Sequence, residues 1–288
     1  MATLAPMKEE DGRRPRPRPV GFRSIAGERS PVALSALIEG EIIPRLMVAH
    51  HAATPAVAPG TAHEIDARDI AALAPMTLEV EADVLLAHVQ GLMTRGISID
   101  SVLIDLLAPT ARLLGEWWEA DRCDFVEVTM GLWRLQEVVH EICDGAPPTL
   151  RAAPRPKALF AAMPGDQHSF GAVIVDELFR RNGWSTDRWI GEAAAGLQER
   201  VRMHRFDLIG LTISCDCHIA ALPPLIADLR TVSRNPKVSV MVGGRVFVED
   251  PSLATSVGAD GTARDARLAL SVATHLVRAR AGEVADAD

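Results

Sequence analysis

The chain has 288 residues, 48% of them apolar, which is enough to bury two hydrophobic cores. Its formal net charge is −8, although the first 30 residues carry seven Lys or Arg and four acids. The rest is therefore strongly acidic, which disfavours nucleic-acid binding by the folded part. The sequence has no apolar run long enough to span a membrane and no N-terminal signal core, and its four cysteines do not form a secreted disulfide framework. We expect a cytoplasmic protein without membrane contact and with reduced cysteines.

The first half of the chain is predicted to be helical after a basic arm. Residues 1–30 contain the run RRPRPRP (13–19), which is typical of an extended, disordered arm, with contact to a partner or to nucleic acid as the alternative. Apolar residues at i, i+3, i+4 spacing predict a four-helix bundle over 31–143, and a short segment near 67–74 is expected to add a turn. Prolines at 147, 148, 154 and 156 predict a linker over 144–156. The four predicted helices are Ala33 to Ala53, Leu78 to Arg95, Ile99 to Ala120 and Phe125 to Cys143.

From residue 157 onward, strand and helix patterns alternate. This predicts an α + α/β fold in which a doubly wound, five-stranded parallel sheet of the flavodoxin-like, Rossmann-like kind occupies 157–282. A final helix is expected from Arg264 to Arg280. Neither a GxGxxG after the first strand nor a GxxxxGK[ST] occurs, so the sequence predicts no dinucleotide or nucleotide-triphosphate site. The predicted strands are 157–163, 185–190, 207–213, 238–242 and 259–261.

The loop after the first predicted strand, Asp166-Gln167-His168-Ser169-Phe170-Gly171, carries the strongest chemical signal. Ligands of open α/β sheets bind outside the carboxyl ends of the strands, so His168 is placed to coordinate a metal there. A carboxylate two residues earlier can orient the imidazole and raise its basicity. Asp166 and His168 together therefore predict a metal-binding relay, and Gly171 lets a bulky group approach the helix that follows.

Two later strand ends extend this pattern. Ser214 follows the third predicted strand, 43 positions after Gly171, and Gly243-Gly244 follow the fourth, 29 positions after Ser214. This spacing resembles the DxHxxG, Ser and GG pattern of cobalamin-binding domains. The resemblance implies that His168 replaces the dimethylbenzimidazole base as the axial ligand of cobalt, that Asp166 is its hydrogen-bond partner, and that Ser214 lies near both and near the displaced nucleotide tail. The implied slot for that tail is lined by Gly171, Gly243 and Gly244, and further cofactor contacts are expected from Gln167, Ser169, Phe170, Thr212 and Gly261.

A helical bundle directly before such a sheet resembles the cap of methionine synthase and of the light-sensing B12-dependent transcription regulators, which covers the upper face of the cofactor. Those regulators carry a Trp, nine residues and then Glu-His, and here Trp117 and Glu127 match that frame while Val128 occupies the place of the His. The resemblance implies that Trp117 and Glu127 lie at the upper ligand, whereas Val128 has no lone pair with which to take the vacated cobalt position after photolysis. Ordinary helix packing is the alternative for Trp117, and Trp118 is the alternative aromatic contact.

The run LGEWWEADRCDFVEVTMGLWRLQ (114–136), together with the basic arm, the bundle and the sheet, resembles the PpaA/AerR family of photosynthesis-gene antirepressors of purple bacteria, over about residues 31–280. The resemblance implies a regulator that binds adenosylcobalamin or hydroxocobalamin and responds to light or redox state. It implies action through a partner repressor of photosynthesis and pigment genes. We find no helix-turn-helix in the sequence, so direct sequence-specific DNA binding is not expected.

Two other functions use the same residues. A corrinoid carrier for methyl transfer has the same two-domain build, although carriers usually begin at the bundle. A haem-binding redox sensor would use His168 as proximal ligand, but haem has no nucleotide tail for the glycine slot. Catalysis is not expected, because bundle and sheet leave no room for a catalytic partner domain.

The segment Cys215-Asp216-Cys217-His218 permits a metal site or redox modification. A zinc site needs a second ligand pair, which the sequence does not supply, so metal binding is disfavoured here. Redox modification of the exposed thiols remains open.

Overall fold

The computed structural model describes residues 64–144, 155–166 and 168–285, which belong to one compact unit, Thr61–Asp288. The basic arm, the helix predicted over 33–53 and most of the predicted linker lie outside the described residues, so the predicted four-helix set stays a prediction. Among the described residues, no helix is both long and apolar enough to cross a membrane. The helices before the sheet are α1 (Ala67–Glu79), α2 (Ala82–Thr94), α3 (Ile99–Ser101) continuing into a π-helical segment (Val102–Leu107), α4 (Ala108–Glu119) and α5 (Phe125–Asp144).

Helix α1 is longer than the single turn that the sequence predicts. Asp66 caps it, since its carboxylate accepts from the backbone N–H groups of Arg68 and Asp69 while the Asp69 carboxylate accepts from the N–H of Asp66. The extended backbone of Val80 and Glu81 then separates α1 from α2. The single helix predicted from Leu78 to Arg95 is therefore wrong at its start, because its first two residues end α1.

The helix predicted over 99–120 contains a π-helical widening that the sequence pattern does not reveal. Ser98 caps its start by accepting from the N–H of Ser101, and Pro109 lies in the first turn of α4, directly after the widening. Proline has no N–H to donate and its ring crowds the preceding turn, so a wider turn before it relieves that crowding. Helix α5 covers the predicted span and extends it by one residue.

The five predicted strands are present and all of them pair in parallel. Their order across the sheet is β2-β1-β3-β4-β5, the doubly wound arrangement that the sequence predicts. The strands are β1 (Lys157–Ala162), β2 (Ser185–Trp189), β3 (Leu208–Thr212), β4 (Ser239–Gly243) and β5 (Gly261–Thr262). The helices that follow them are α6 (Phe170–Arg181), α7 (Ala194–Met203), α8 (Leu222–Val232), α9 (Arg245–Glu249), α10 (Leu253–Ser256) and α11 (Ala266–Ala285), with a 3-10 turn (Asp216–Ala221) before α8.

The described residues bury three apolar clusters. One lies inside the N-terminal helices and includes Phe170, Ile174 and Leu178 of α6, so this cluster is shared with the sheet domain. The other two lie on opposite faces of the sheet, where strands β1, β3 and β4 are almost wholly buried. Because α6 begins directly after the His168 loop, the shared cluster anchors that loop against the helices.

Candidate cofactor site

The structure brings Asp166, His168 and Ser214 together at the carboxyl edge of the sheet. The Asp166 side chain is only 2% exposed, and its Oδ1 accepts from the backbone N–H and from Nδ1 of His168, at 3.0 and 2.9 Å. Its Oδ2 accepts from the backbone N–H of Ser214 at 2.8 Å, and the Ser214 hydroxyl donates to the same carboxylate at 2.7 Å. We call these three side chains the relay. Residues 48 positions apart thus meet because β1 and β3 are neighbours in the sheet.

The relay fixes the protonation of its members. Burial raises the pKa of Asp166, but the hydrogen bonds from His168 and Ser214 outweigh burial, and the pKa lies well below the usual range. The hydrogen bond to Asp166 in turn raises the pKa of His168, against the opposing effect of burial. An ionised carboxylate only accepts hydrogen bonds, so Nδ1 of His168 carries the proton. In the neutral ring, the lone pair is then on Nε2, the nitrogen that faces away from Asp166.

His168 is held at one side and open at the other. Its side chain is 68% exposed although its Nδ1 is engaged with Asp166 and lies 3.0 Å from the Ser214 hydroxyl oxygen. Among the described residues, we find no hydrogen-bond partner for Nε2. An imidazole oriented by a buried carboxylate, with the second nitrogen open to solvent, is the usual arrangement of a histidine that ligates a metal. In the described part of the chain, no group of three or more His, Cys, Asp or Glu side chains could hold a free metal ion, so His168 offers a single protein ligand.

Glycines leave room beside the relay. A Cβ atom added to Gly171 or to Gly243 would meet no atom within 4 Å, so both positions border open space at the carboxyl edge. Gly244 is required for a different reason: its φ is +112°, and a Cβ there would lie 2.0 Å from the backbone oxygen of Ile213. Gly244 therefore allows the end of β4 to approach the end of β3, directly before Ser214.

The other predicted contact residues fall into several environments. The Thr212 hydroxyl donates to the backbone oxygen of Ala161, within the sheet. Gly261 packs against the last helix, since a Cβ there would lie 3.1 Å from Val272. Ser169 precedes α6 without a side-chain capping bond, Phe170 is buried against the N-terminal helices, and Gln167 lies outside the described residues. Their predicted contacts with a cofactor stay predictions.

The predicted cap residues have clear structural contacts of their own. The Glu127 carboxylate accepts from the N–H of Asp124, whose carboxylate accepts from the N–H of Glu127, each at 2.8 Å, which is a capping box at the start of α5. Val128 is 8% exposed and lies in the apolar cluster of the helices. Trp117 is partly buried against that cluster, with the guanidinium of Arg122 4.8 Å from its ring centroid. Packing thus accounts for these contacts, and a role at the cofactor stays a prediction.

Glu119 is a residue near this site that was not found from the sequence, whereas its neighbour Trp118 is the alternative aromatic contact named there. Glu119, at the end of α4, lies close enough to His168 for its charge to help raise the pKa of that imidazole. Trp118, the residue before it, is 47% exposed. The turn between α4 and α5 therefore lies on the His168 side of the molecule. An acid that follows a Trp at a helix end is the only sequence signal for Glu119, and the separation of 49 positions along the chain conceals its proximity to His168.

The cysteines after Ser214 differ from the prediction that all four cysteines are reduced. Cys123 and Cys143 are free and buried, as expected of reduced thiols, but the sulfur atoms of Cys215 and Cys217 are in bonding contact. Both residues are exposed, and Cys215 directly precedes the 3-10 turn in which Cys217 lies. With no cluster of three metal-binding side chains among the described residues, the structure supports a sulfur–sulfur pair here instead of a metal site.

A separate cleft of about 600 Å³ lies between α2, α5, α6 and β2. Its lining includes Trp133, Asp176 and Arg188 and none of the relay residues. Asp176 is half-buried, and one of its carboxylate oxygens, Oδ1, is buried without a hydrogen-bond partner. The sequence signal for Asp176 was an acid, next to Glu177, within the mainly apolar pattern of α6.

Fold and site together define a cobalamin-type α/β domain. Residues 156–271 match the family model described as the B12 binding domain, so the chain carries a B12-binding domain. A curated relative from Rhodobacter capsulatus, described as an uncharacterized 20.5 kDa protein in the bchF-crtJ intergenic region, is 25% identical over 176 residues, which are 61% of this chain and 91% of that protein. The solved structure of the monomethylamine corrinoid protein of Methanosarcina barkeri is similar in fold, with a TM-score of 0.58 at 17% identity, over 73% of this chain and 96% of that one.

The residues present fit a corrinoid. The relay offers one imidazole, oriented by a buried carboxylate and exposed at its second nitrogen. The open space beside Gly171 and Gly243 lies at the same edge of the sheet, where a large ring with a tail needs room. A single protein ligand with open space around it suits a metal that arrives with its own macrocycle, because the ring nitrogens would supply most of the other ligands.

Proposed function

We propose that this chain is a cobalamin-binding, light- or redox-responsive regulator that acts through a protein partner, as an antirepressor of photosynthesis and pigment genes. The observation that carries the proposal is the relay of Asp166, His168 and Ser214 at the carboxyl edge of a B12-binding domain. The regulatory part is supported by the resemblance of residues 114–136 to the PpaA/AerR family. The relative named for the bchF-crtJ intergenic region adds support.

Each relay residue has a defined task in this proposal. Bound cobalamin supplies a cobalt centre with an exchangeable, light-sensitive upper ligand. His168 offers Nε2 to that centre, and Asp166 keeps the proton on Nδ1 and holds the plane of the ring. Ser214 fixes the Asp166 carboxylate with its amide and its hydroxyl. Gly171 and Gly243 keep space open for the nucleotide tail.

A change at the upper ligand must be transmitted to a partner-binding surface. The turn between α4 and α5 lies on the His168 side, and the N-terminal helices share an apolar cluster with α6, the helix that follows His168. A rearrangement at the site therefore acts on packed helices. It alters partner binding to the extent that the partner prefers one arrangement.

The test is an absorption spectrum of the purified chain with adenosyl-, methyl- and hydroxocobalamin, in darkness and after illumination. We expect a base-off, His-on spectrum for the wild type and its loss, with at least a tenfold weaker affinity, in His168→Ala. His275→Ala is the matched control, because His275 is an exposed histidine on α11 and its removal is expected to leave the spectrum unchanged.

The outcomes separate the competing functions. An unchanged spectrum in His168→Ala would remove His168 as the axial ligand. Methylcobalamin that binds but does not respond to light would favour a methyl carrier. A Soret band with haem, without corrinoid binding, would overturn the choice of cofactor. Light-dependent binding of a repressor protein to the loaded chain would support the regulator.

A further inference from the structure

The exposed cysteine pair at the end of β3 is directly connected to the relay. Ser214 is bonded to Cys215 through the peptide backbone, and it gives Asp166 both a backbone and a side-chain hydrogen bond. The sulfurs of Cys215 and Cys217 are in bonding contact, and their Cα atoms are 5.2 Å apart, within the range of a disulfide. The cysteine pair therefore lies one residue from a side chain that positions His168.

A second contact joins the same segment to the loop that holds His168. His218, which follows Cys217, lies against Gly165: a Cβ added to that glycine would be 3.8 Å from Cε1 of His218. Gly165 has a φ of +88° and immediately precedes Asp166. Residues 214–218 thus touch the relay at Ser214 and its supporting turn at Gly165.

The surroundings of the pair restrict where it can move. Ile213 is held from the other side, because its N–H donates to the backbone oxygen of Gly243 and its own oxygen lies against Gly244. Reduction breaks the covalent cross-link between Cys215 and Cys217, so the backbone from Ser214 to His218 loses a restraint. Because Ile213 stays held by Gly243, we expect the freedom that is gained to fall on Ser214 and His218.

We propose that Cys215 and Cys217 are a reversible thiol–disulfide switch, oxidised by a low-molecular-weight disulfide, whose closed form keeps the relay assembled and whose opening loosens it. One cysteine thiolate attacks a sulfur of the oxidant and releases one small thiol, and the second cysteine then displaces the other. The two cysteines lose two electrons in total, the oxidant gains them, and the two thiol protons end on the two released thiols. The cofactor consequence rests on the proposed cobalamin function, whereas the switch itself does not.

The first test addresses the switch without any cofactor. The full chain is treated with glutathione disulfide, or with a phosphine reductant that is then removed, and its free thiols are labelled and counted by mass spectrometry. We expect oxidation to remove two labelled thiols from the peptide that contains Cys215 and Cys217. Without label, the oxidised peptide should be lighter than the reduced one by about 2 Da, the mass of two hydrogen atoms. Cys215→Ala abolishes the change, and Cys123→Ala, which removes a buried thiol between α4 and α5, does not. Failure to form the pair overturns the proposal.

The second test addresses the connection to the relay. Hydrogen exchange of the peptide covering residues 163–170 is compared in the oxidised and reduced chain, with the peptide covering α11 as internal control. We expect faster exchange in the 163–170 peptide after reduction and in Cys215→Ala, with the control peptide unchanged. A pair that forms while exchange in this peptide stays the same overturns the coupling.

The third test measures methylcobalamin affinity by absorption, with reductant removed so that cobalt is not itself reduced. We expect reduction, or Cys215→Ala, to weaken binding by roughly tenfold, the lower end of what loss of support to a metal-bound histidine costs. Equal affinity in both states would overturn the functional consequence. If no corrinoid binds in either state, the proposed cobalamin function fails, whereas thiol counting and hydrogen exchange still decide whether the switch exists.

Discussion

At the scale of single residues, the neighbouring tryptophans Trp117 and Trp118 have opposite environments. Trp117 packs against the apolar cluster under Arg122, whereas Trp118 is 47% exposed near the acid that acts on His168. The Trp-to-Glu spacing of the light-sensing regulators indicates Trp117 as the cofactor contact, whereas exposure to solvent favours Trp118. A side chain that is already engaged in packing has less surface left for a ligand.

The two substitutions are therefore expected to have different effects. Trp117→Ala should lower the free energy of unfolding by about 2 kcal/mol, because it removes packing and a cation–π contact. Trp118→Ala should change it by less than about 0.5 kcal/mol. Urea denaturation gives these values, and the dissociation rate of adenosylcobalamin shows which ring retains the upper ligand. Faster dissociation of adenosylcobalamin from Trp117→Ala alone would support Trp117 as the contact. Faster dissociation from Trp118→Ala alone would assign the contact to Trp118.

Asp176 gives a prediction in which stability depends on pH. Burial raises its pKa above the usual 3.8, so the folded chain binds this proton more tightly than the unfolded chain. Stability is then lost as pH rises through the interval between the two pKa values. Asp176→Asn should raise the free energy of unfolding by the order of 1 kcal/mol at pH 7, because it removes a buried charge whose Oδ1 has no hydrogen-bond partner.

The gain from Asp176→Asn should shrink as the pH falls toward 3.8, where the wild-type carboxyl is protonated. Glu177→Gln is the matched control, because Glu177 is the adjacent acid but is paired with Arg180 at 2.6 Å. That substitution should lower stability at pH 7. Urea titrations of both variants at several pH values check the signs, and a pH-independent gain for Asp176→Asn would contradict the explanation.

At the scale of elements, the two glycines at the end of β4 have different roles. Gly244 supports the fold, and Gly243 borders space for a ligand. Gly244→Ala should lower the free energy of unfolding by about 3 kcal/mol or more, since it combines a positive φ with a contact of 2.0 Å to Ile213. Gly243→Ala meets no atom within 4 Å and should leave stability nearly unchanged. If Gly243 faces the nucleotide tail, the same substitution weakens cobalamin binding by at least tenfold. Unaltered binding by Gly243→Ala would place the tail elsewhere.

The sheet was predictable from sequence because each strand is a short apolar run bounded by turn residues, and because successive parallel strands bring their carboxyl ends to one edge. The meeting of His168 and Ser214 follows from that topology. The extended break at Val80 and Glu81 was not predictable, since both residues continue a helical periodicity. The π-helical segment was also missed, because an apolar pattern at helical spacing is the same for a slightly wider turn.

At the scale of the whole molecule, the N-terminal helices and the sheet domain depend on each other. They share an apolar cluster, and two ion pairs, Arg181–Asp100 at 3.0 Å and Arg267–Asp105 at 3.2 Å, connect the segment before α4 to α6 and α11. Exposed ion pairs contribute little to stability, so the shared apolar cluster supplies most of the stabilisation that joins the two parts. Phe170, the first residue of α6, follows His168 by two positions and lies in the shared cluster, so α6 connects the relay loop to the helices.

Phe170 is the side chain that should reveal this dependence. It is 8% exposed in the shared cluster, whereas Phe179, on the same helix, packs on the sheet side with Phe160 and Trp184. Replacing either phenylalanine by Ala should lower the free energy of unfolding by about 3 to 4 kcal/mol, because apolar burial is lost and a cavity remains. Only Phe170→Ala, however, removes apolar contact between the helices and the sheet domain, so only this variant should uncouple their unfolding.

Hydrogen exchange along a urea series measures the two parts of the chain separately. In the wild type, peptides from 67–144 and from 157–262 should open at one urea concentration, since exposing the shared cluster unfolds both. In Phe170→Ala the 67–144 peptides should open first, and in Phe179→Ala both sets should open together at a lower concentration. Coincident opening in Phe170→Ala would show that the ion pairs and the remaining α6 contacts suffice to unite the two parts. In that case, a rearrangement at the relay would reach the helices by another route.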